Sequence, residues 1–311
     1  MSEGAENSSS SPSFVDLHLH GAFGVDVLTA SPADLDRLAM GLFARGVSGF
    51  MPTLVPQPLD EMAMTVTRLS AWMRSRRSDD GRGAMPLGIH FEGPFVSRAR
   101  CGALHREDFL DGTDDRAMGA FFEIASGVPG RGMTTLAPEI PGGIAVVKEF
   151  VKRGFVVSIG HTEADVATLD AALAAGARHM THFGNAMKPL HHRDVGPIGW
   201  GLITDVVTLD VIADGHHLSK EMLRLVLKAK GESRVALVSD AMPAAGLADG
   251  DYSVWGETLT VKDGAARNAA GALAGSTALL DECVARLASA GVPKDAAHRM
   301  ASDVPRAVFG S

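Results

Sequence analysis

Eight short apolar runs recur along this chain, spaced so that a helix fits between most of them. They read FVDLHLHG, GVSGFMPTLV, MPLGIHFEGPF, GMTTLAPE, FVVSIGHT, RHMTHFGN, VVTLDVIADGHH and RVALVSDAM. Helical periodicity fills gaps over residues 31–46, 58–77, 141–153, 165–175 and 219–229. Ser31, Pro32 and Gly46 supply start and stop signals for the first of these. Strands joined through helices lie parallel to one another. Eight repeats in roughly 250 residues fit a closed (β/α)8 TIM barrel better than an open doubly wound sheet. The open sheet stays as the alternative; its dinucleotide-binding form is disfavoured, because no strand leads into GxGxxG. A hairpin-like stretch, YSVWGETLTVKDGAARN, follows the eighth run, and helices over 276–289 and 294–308 close the chain.

The bulk chemistry narrows the class. The chain has 311 residues and a net charge of −8, so it lacks the basic face that nucleic-acid binding requires. Cys101 and Cys283 stand far apart and in no CxxC pattern, which fits a reducing, cytoplasmic setting. Residues 1–13, MSEGAENSSSSPS, are polar and serine-rich, with neither the basic nor the apolar part of a signal peptide. They are expected to form a disordered tail, with residues 14–311 a single barrel domain. No apolar run approaches the ~20 residues of a membrane helix, so no membrane partner is expected.

The chemically distinctive residues fall where the runs end. His18 and His20 close the first run, and strand alternation places them on one face with Asp16, opposite Val15, Leu17 and Leu19. Glu92 closes the third run, His161 the fifth, His182 the sixth, His216 and His217 the seventh, and Asp240 the eighth. Taken singly, each has a structural explanation: Thr162 with Asp165 reads as a capping box, Asp240 as a helix cap, Glu92 as a loop carboxylate. Six strand ends all carrying ligand-type side chains read instead as one constellation, because barrel chemistry sits at the C-terminal ends of the strands. Imidazoles and carboxylates hold a divalent cation and leave a position for water. The cation lowers the pKa of that water toward about 7, and a neighbouring carboxylate can take and return the proton.

The stretches DLHLHG, HFEGPF, SIGHTEAD, THFGNAMKPLHHRDVGPIG, IADGHHL, LVSDAMPAAGLADG and LAGST resemble, in order, the amidohydrolase superfamily and, within it, the N-acetylglucosamine-6-phosphate deacetylase family. The resemblance implies an amidohydrolase-type (β/α)8 TIM barrel that deacetylates an N-acetyl amino sugar, most simply N-acetylglucosamine 6-phosphate, to acetate and glucosamine 6-phosphate. It implies that Glu92, His161 and His182 hold the principal divalent metal. His18 and His20 would hold a second, bridged by Glu92 with Asp240 nearby. Family members lacking these two histidines use one ion, so one or two are expected. Zinc leads, with iron, manganese and cobalt as alternatives. Asp240 would deprotonate the attacking water and then protonate the leaving amine. The main chain around Asn185 and Ala186 would hold the substrate, and Leu273 to Ser276 would line the sugar pocket. Arg193 and His217 would bind the phosphate, the arginine reaching across from a neighbouring subunit, which implies a homodimer. Lys188 reads as a solvated loop residue, and His191 and His192 as loop or interface residues.

The pattern departs from the family in three places. The family carries Gly-Ala-His after the EGPF loop, its histidine contacting the acetyl carbonyl or sugar. Here the run is CGALHRED, with Leu104 at that position and His105 one residue later. Either the loop shifts register, keeping His105 as a substrate contact, or the contact has changed. Gly184 replaces an aromatic in THFGNAM, where a small residue could enlarge the pocket. The family's N-terminal and C-terminal segments pair into a small β-sandwich, which is expected to be missing here. Two other readings follow: a deacetylase of a different N-acyl sugar or biosynthetic intermediate, or a non-catalytic sugar-binding remnant.

Overall fold

Strands enclosed by helices on one side and by one another on the other must be buried, and these are, except at a residue or two near the starts of five of them. The computed structural model describes residues 13–77, 81 and 83–310; most of the serine-rich tail lies outside the described residues. The barrel strands are β1 (Phe14–Leu19), β2 (Val47–Leu54), β3 (Gly88–Glu92), β4 (Arg131–Leu136), β5 (Val156–Ile159), β6 (His179–Met180), β7 (Thr208–Ile212) and β8 (Val235–Val238). They pair in parallel in chain order, with Met85–Pro86 as a short extra strand on β2. The ring closes just beyond the ends of β8 and β1. There Leu19 bridges Ala241, the Asp240 amide donates to His18 O at 3.0 Å, and the His20 amide donates to Ala241 O at 2.8 Å. Closure selects the barrel over the open sheet.

Around it stand α1 (Pro32–Ala44), α2 (Leu59–Arg74), α3 (Asp115–Ser126), α4 (Gly143–Lys152), α5 (Val166–Ala175), α6 (Gly196–Ile203) and α7 (Lys220–Lys230). Helices α8 (Leu280–Ser289), α9 (Lys294–Ala301) and α10 (Asp303–Val308) follow. Ser31 caps α1 in a reciprocal box with Asp34. The expected Thr162–Asp165 box is not formed; Asp165 caps α5 itself by accepting from the Thr168 amide. Two helices escape the sequence periodicity. In α3, Asp114 supplies the cap and Phe121, Phe122 and Ala125 the buried face. In α6, GPIGWGLI, three glycines oppose helix formation, and burial of Gly196 through Leu202 overrides them. The single terminal helix expected over 294–308 is broken at Ser302, where the backbone leaves helical geometry. Pro305 has no amide proton with which to continue the ladder.

The first strand corrects a simple alternation. Val15 and Leu17 cluster with Met51, Met133, Ile212 and Val238. These residues come from opposite sides of the ring and can meet only inside it. Leu19 joins the layer between strands and helices. The β1–β2 register shifts between Asp16 and Leu19, and this irregularity brings His18 inward after Leu17. Asp16 faces the β8 seam, accepting from the Ser239 amide at 3.1 Å and from the Ser239 hydroxyl. Burial pushes the Asp16 carboxyl up to about 6 against these hydrogen bonds.

Beyond β8, the strands β9 (Gly250–Val254), β10 (Glu257–Lys262) and β11 (Ala265–Arg267) form an antiparallel sheet. It has its own apolar cluster around Met242, Val254, Leu259 and Val261. No helix among the described residues is long and apolar enough to cross a membrane.

Candidate metal centre and cavity

The strand ends converge on Glu92. Its Oε1 lies 3.0 Å from both His161 Nε2 and His182 Nε2. Its Oε2 lies 3.2 Å from His20 Nε2 and 3.6 Å from His18 Nε2. Asp240 Oδ1 is 3.3 Å from each of these last two nitrogens. Every one of these side chains is buried. Backbone conformation aims three of them: His161, His182 and Asp240 follow β5, β6 and β8 with φ of 48°, 30° and 50°. Non-glycine residues adopt that region at a cost that folded proteins concentrate at functional sites.

The donor set fits a cation. Ligands about 2.0–2.2 Å from a tetrahedral ion stand roughly 3.3–3.6 Å apart, close to the spacings here. The groups divide into His18–His20–Glu92 and Glu92–His161–His182, sharing one carboxylate. Second contacts orient two of the rings: His20 Nδ1 meets Thr53 O at 3.1 Å and His161 Nδ1 meets Arg100 O at 2.8 Å. An Nδ1–H donated to a carbonyl leaves the Nε2 lone pair facing the site. His18 and His182 are set by packing, against His90 at 4.7 Å and His161 at 4.9 Å between ring centroids.

A polar layer supports the centre from below. His90 bridges Leu17 O at 3.0 Å and Thr135 Oγ1 at 2.8 Å. Thr135 passes the chain to Thr181 at 2.6 Å and thence to Ser158. Burial and the neighbouring His18 keep the His90 imidazole well below its ordinary pKa. Around the ligands, burial alone would drive protons off His20 and His182, yet the adjoining acids hold them up near 10 and 9. Glu92 lies well below the ordinary carboxylate range, because its imidazole neighbours outweigh its burial; Asp240 is lowered for the same reason. So dense a field of negative charge attracts a cation, which takes the place of the protons.

Above the centre opens a cavity of about 230 Å³. His217, Asn185, Ala186 and Leu273 line it with the metal-type residues. His217 Nδ1 donates to Asp214 Oδ2 at 2.7 Å, while the amides of His216 and His217 donate to Asp214 Oδ1 at 2.9 Å. Burial opposes the Asp214 charge, but these donors more than offset it and hold the carboxyl far below its usual range. Asn185 Nδ2 turns back to His182 O at 3.0 Å.

Two expectations are corrected, those for His105 and Gly184. Leu104 lines the cavity and His105 does not; the Leu104 amide closes a turn onto Cys101 O, and His105 faces Glu107 at 3.6 Å. Gly184 does not enlarge the cavity, because a Cβ there would meet Leu218 at 3.1 Å. Arg193 is exposed, its guanidinium 2.7 Å from His192 Nε2, and lies outside the cavity of its own chain. His216 is exposed, and Lys188 pairs with Asp194 at 2.7 Å as a loop residue. Sequence reading missed Trp255, Gly102 and Asp214. The acid three residues before His217 in DGHH was a legible turn signal; Trp255 had none.

Comparison with known proteins bears on the family and the fold. The model of the amidohydrolase family matches residues 10–311. The chain is 36% identical over 271 residues to N-acetylglucosamine-6-phosphate deacetylase of Bacillus subtilis, covering 87% of this chain and 67% of that protein. It is 34% identical over 300 residues to N-acetylgalactosamine-6-phosphate deacetylase of Escherichia coli O157:H7, covering 96% and 78%. The fold is similar to that of the Thermotoga maritima N-acetylglucosamine-6-phosphate deacetylase, with TM-score 0.86, 32% identity and coverage of 96% and 78%. It is similar also to an alanine variant of the Mycobacterium smegmatis enzyme in complex with N-acetyl-D-glucosamine 6-phosphate, with TM-score 0.87, 33% identity and coverage of 96% and 77%.

Proposed function

Because this chain belongs to the amidohydrolase family, we propose that it hydrolyses the amide of an N-acetyl amino-sugar phosphate, N-acetylglucosamine 6-phosphate in the first instance. The products are acetate and the free amine. The observation that carries the reading is Glu92 set between two imidazole pairs with Asp240 alongside. The named activities of the relatives support the substrate class.

Glu92, His161 and His182 would hold one divalent cation, zinc in the first instance, and His18 and His20 with Glu92 a second. The cation's chemistry is to acidify water and polarise an amide carbonyl. Asp240, kept ionised, takes one proton from the attacking water. As the new C–O bond forms and the C–N bond breaks, Asp240 returns that proton to the leaving nitrogen. The water's other proton leaves with the products. His217, its ring held by Asp214, faces the cavity and would contact the phosphate end of the substrate. Arg193 would serve the neighbouring copy's phosphate in a homodimer, with a guanidinium fork suited to phosphate oxygens. The protein is assigned to the cytoplasm; its free Cys101 and Cys283 support a reducing setting.

A second reading changes only the substrate. Leu104 in the cavity and His105 outside it favour a different N-acyl sugar. The test is acetate release by metal-loaded protein from N-acetylglucosamine 6-phosphate, N-acetylgalactosamine 6-phosphate and the unphosphorylated sugars. Release from the phosphorylated sugars is expected. No release from any of them overturns the function, and equal rates with and without phosphate remove the roles of Arg193 and His217.

A further inference from the structure

Two costs coincide at Trp255. It forms, with Gly256, the two-residue turn of the β9–β10 hairpin, where Val254 pairs with Glu257. The two turn residues have φ of 53° and 79°, the type I′ geometry that favours asparagine or glycine. A tryptophan at the first position carries steric strain that those residues would not. The indole N–H is also buried without an acceptor among the described residues. The other two tryptophans satisfy theirs, Trp72 donating to Asp36 at 3.0 Å and Trp200 to Asp170 at 2.8 Å. A buried donor left unpaired is uncommon and costly.

Both costs fall on a residue that faces the cavity. The Trp255 ring lines it and packs edge-on against His20 at 5.0 Å between centroids. The ring is held there by a hairpin with its own core, Val254, Leu259 and Val261 packed on Met242 and Ala274. Ala103, Leu104, Ala272 and Leu273 also line the cavity and add carbon surface beside its polar groups. A pyranose has such a surface in the C–H bonds of its ring face, and a flat indole matches it.

Resting on the reading that the cavity takes an amino sugar, we propose that Trp255 is a substrate-binding residue that packs its indole on the sugar ring and sets which sugars fit. It touches substrate without taking part in proton transfer, so it acts through KM.

The test compares the wild type with Trp255→Ala and Trp255→Phe, all metal-loaded, on N-acetylglucosamine 6-phosphate. Trp255→Ala is expected to raise KM about tenfold, equivalent to about 1.4 kcal/mol, with kcat within about twofold and metal content unchanged. Trp255→Phe, which keeps an aromatic face, is expected to recover most of the loss. Substrate added to the inactive Asp240→Asn protein should change tryptophan fluorescence, and the change should vanish in Asp240→Asn/Trp255→Phe. Unchanged KM and fluorescence in the variants overturn the contact. Loss of metal in Trp255→Ala overturns it as well, since Trp255 would then act through His20. A wild type that turns over no N-acetyl sugar phosphate removes the functional reading itself; a working wild type beside indifferent variants removes only the Trp255 contact.

Discussion

Glu92→Gln isolates the bridge at the centre of the site. Each carboxylate oxygen faces a pair of imidazole nitrogens, at 3.0 and 3.0 Å on one side and at 3.2 and 3.6 Å on the other. A glutamine keeps the shape and one oxygen. Its amide nitrogen only donates, so one imidazole pair loses its acidic partner, and both lose the shared negative charge. Without metal, the variant breaks a buried charge network by removing one member, which costs about 3–5 kcal/mol. At about 2.1 cal/mol/K per residue over 311 residues, the melting point falls by roughly 5–8 °C. With metal the gap widens, because a ligand that binds only the folded state stabilises it in proportion to the logarithm of its saturation ratio. The assay is scanning calorimetry of chelator-stripped and metal-titrated protein, with metal content by elemental analysis. Wild type should gain stability on titration and the variant little. Equal metal content and an equal metal-induced shift in the two proteins would refute Glu92 as the shared ligand.

Three further outcomes are expected. His182→Ala should lose metal and activity in parallel, and full metal content in that variant would remove His182 from the ligand set. Arg193→Ala, at an exposed position, should raise KM for a phosphorylated sugar about tenfold or more with little change in kcat. Mixed dimers with Asp240→Asn should restore low-KM sites if the arginine works across the interface; sites that stay at high KM in the mixture refute that. Asp214 titrates well below the ordinary carboxylate pKa, so its stabilisation is complete above about pH 4 and is lost as the pH falls below that value. Urea unfolding should find Asp214→Asn weaker than wild type by about 1.5–3 kcal/mol at pH 7, with the difference shrinking below pH 4; a difference that grows on acidification refutes the linkage.

Much of this protein was legible along the chain. Eight apolar runs with helices between them announce the barrel, and the residues just past those runs announce its chemistry, because strand ends in a barrel share one rim. Local pattern failed where packing overrode propensity, as in the glycine-rich α6, and where a backbone irregularity broke alternation, as between Leu17 and His18 in β1.

The order of the strands, the kind of side chain at each strand end and the family they resemble were determined by sequence alone, since these depend on spacing and residue identity. Only the tertiary structure decided that one carboxylate of Glu92 serves four imidazoles, that Leu104 and not His105 faces the cavity, and that a hairpin tip delivers Trp255 to the same space. The reason is geometric. Periodicity reports neighbours a few residues apart, whereas His18 and Asp240 meet because the barrel closes, and closure, register and loop conformation are properties of the whole ring.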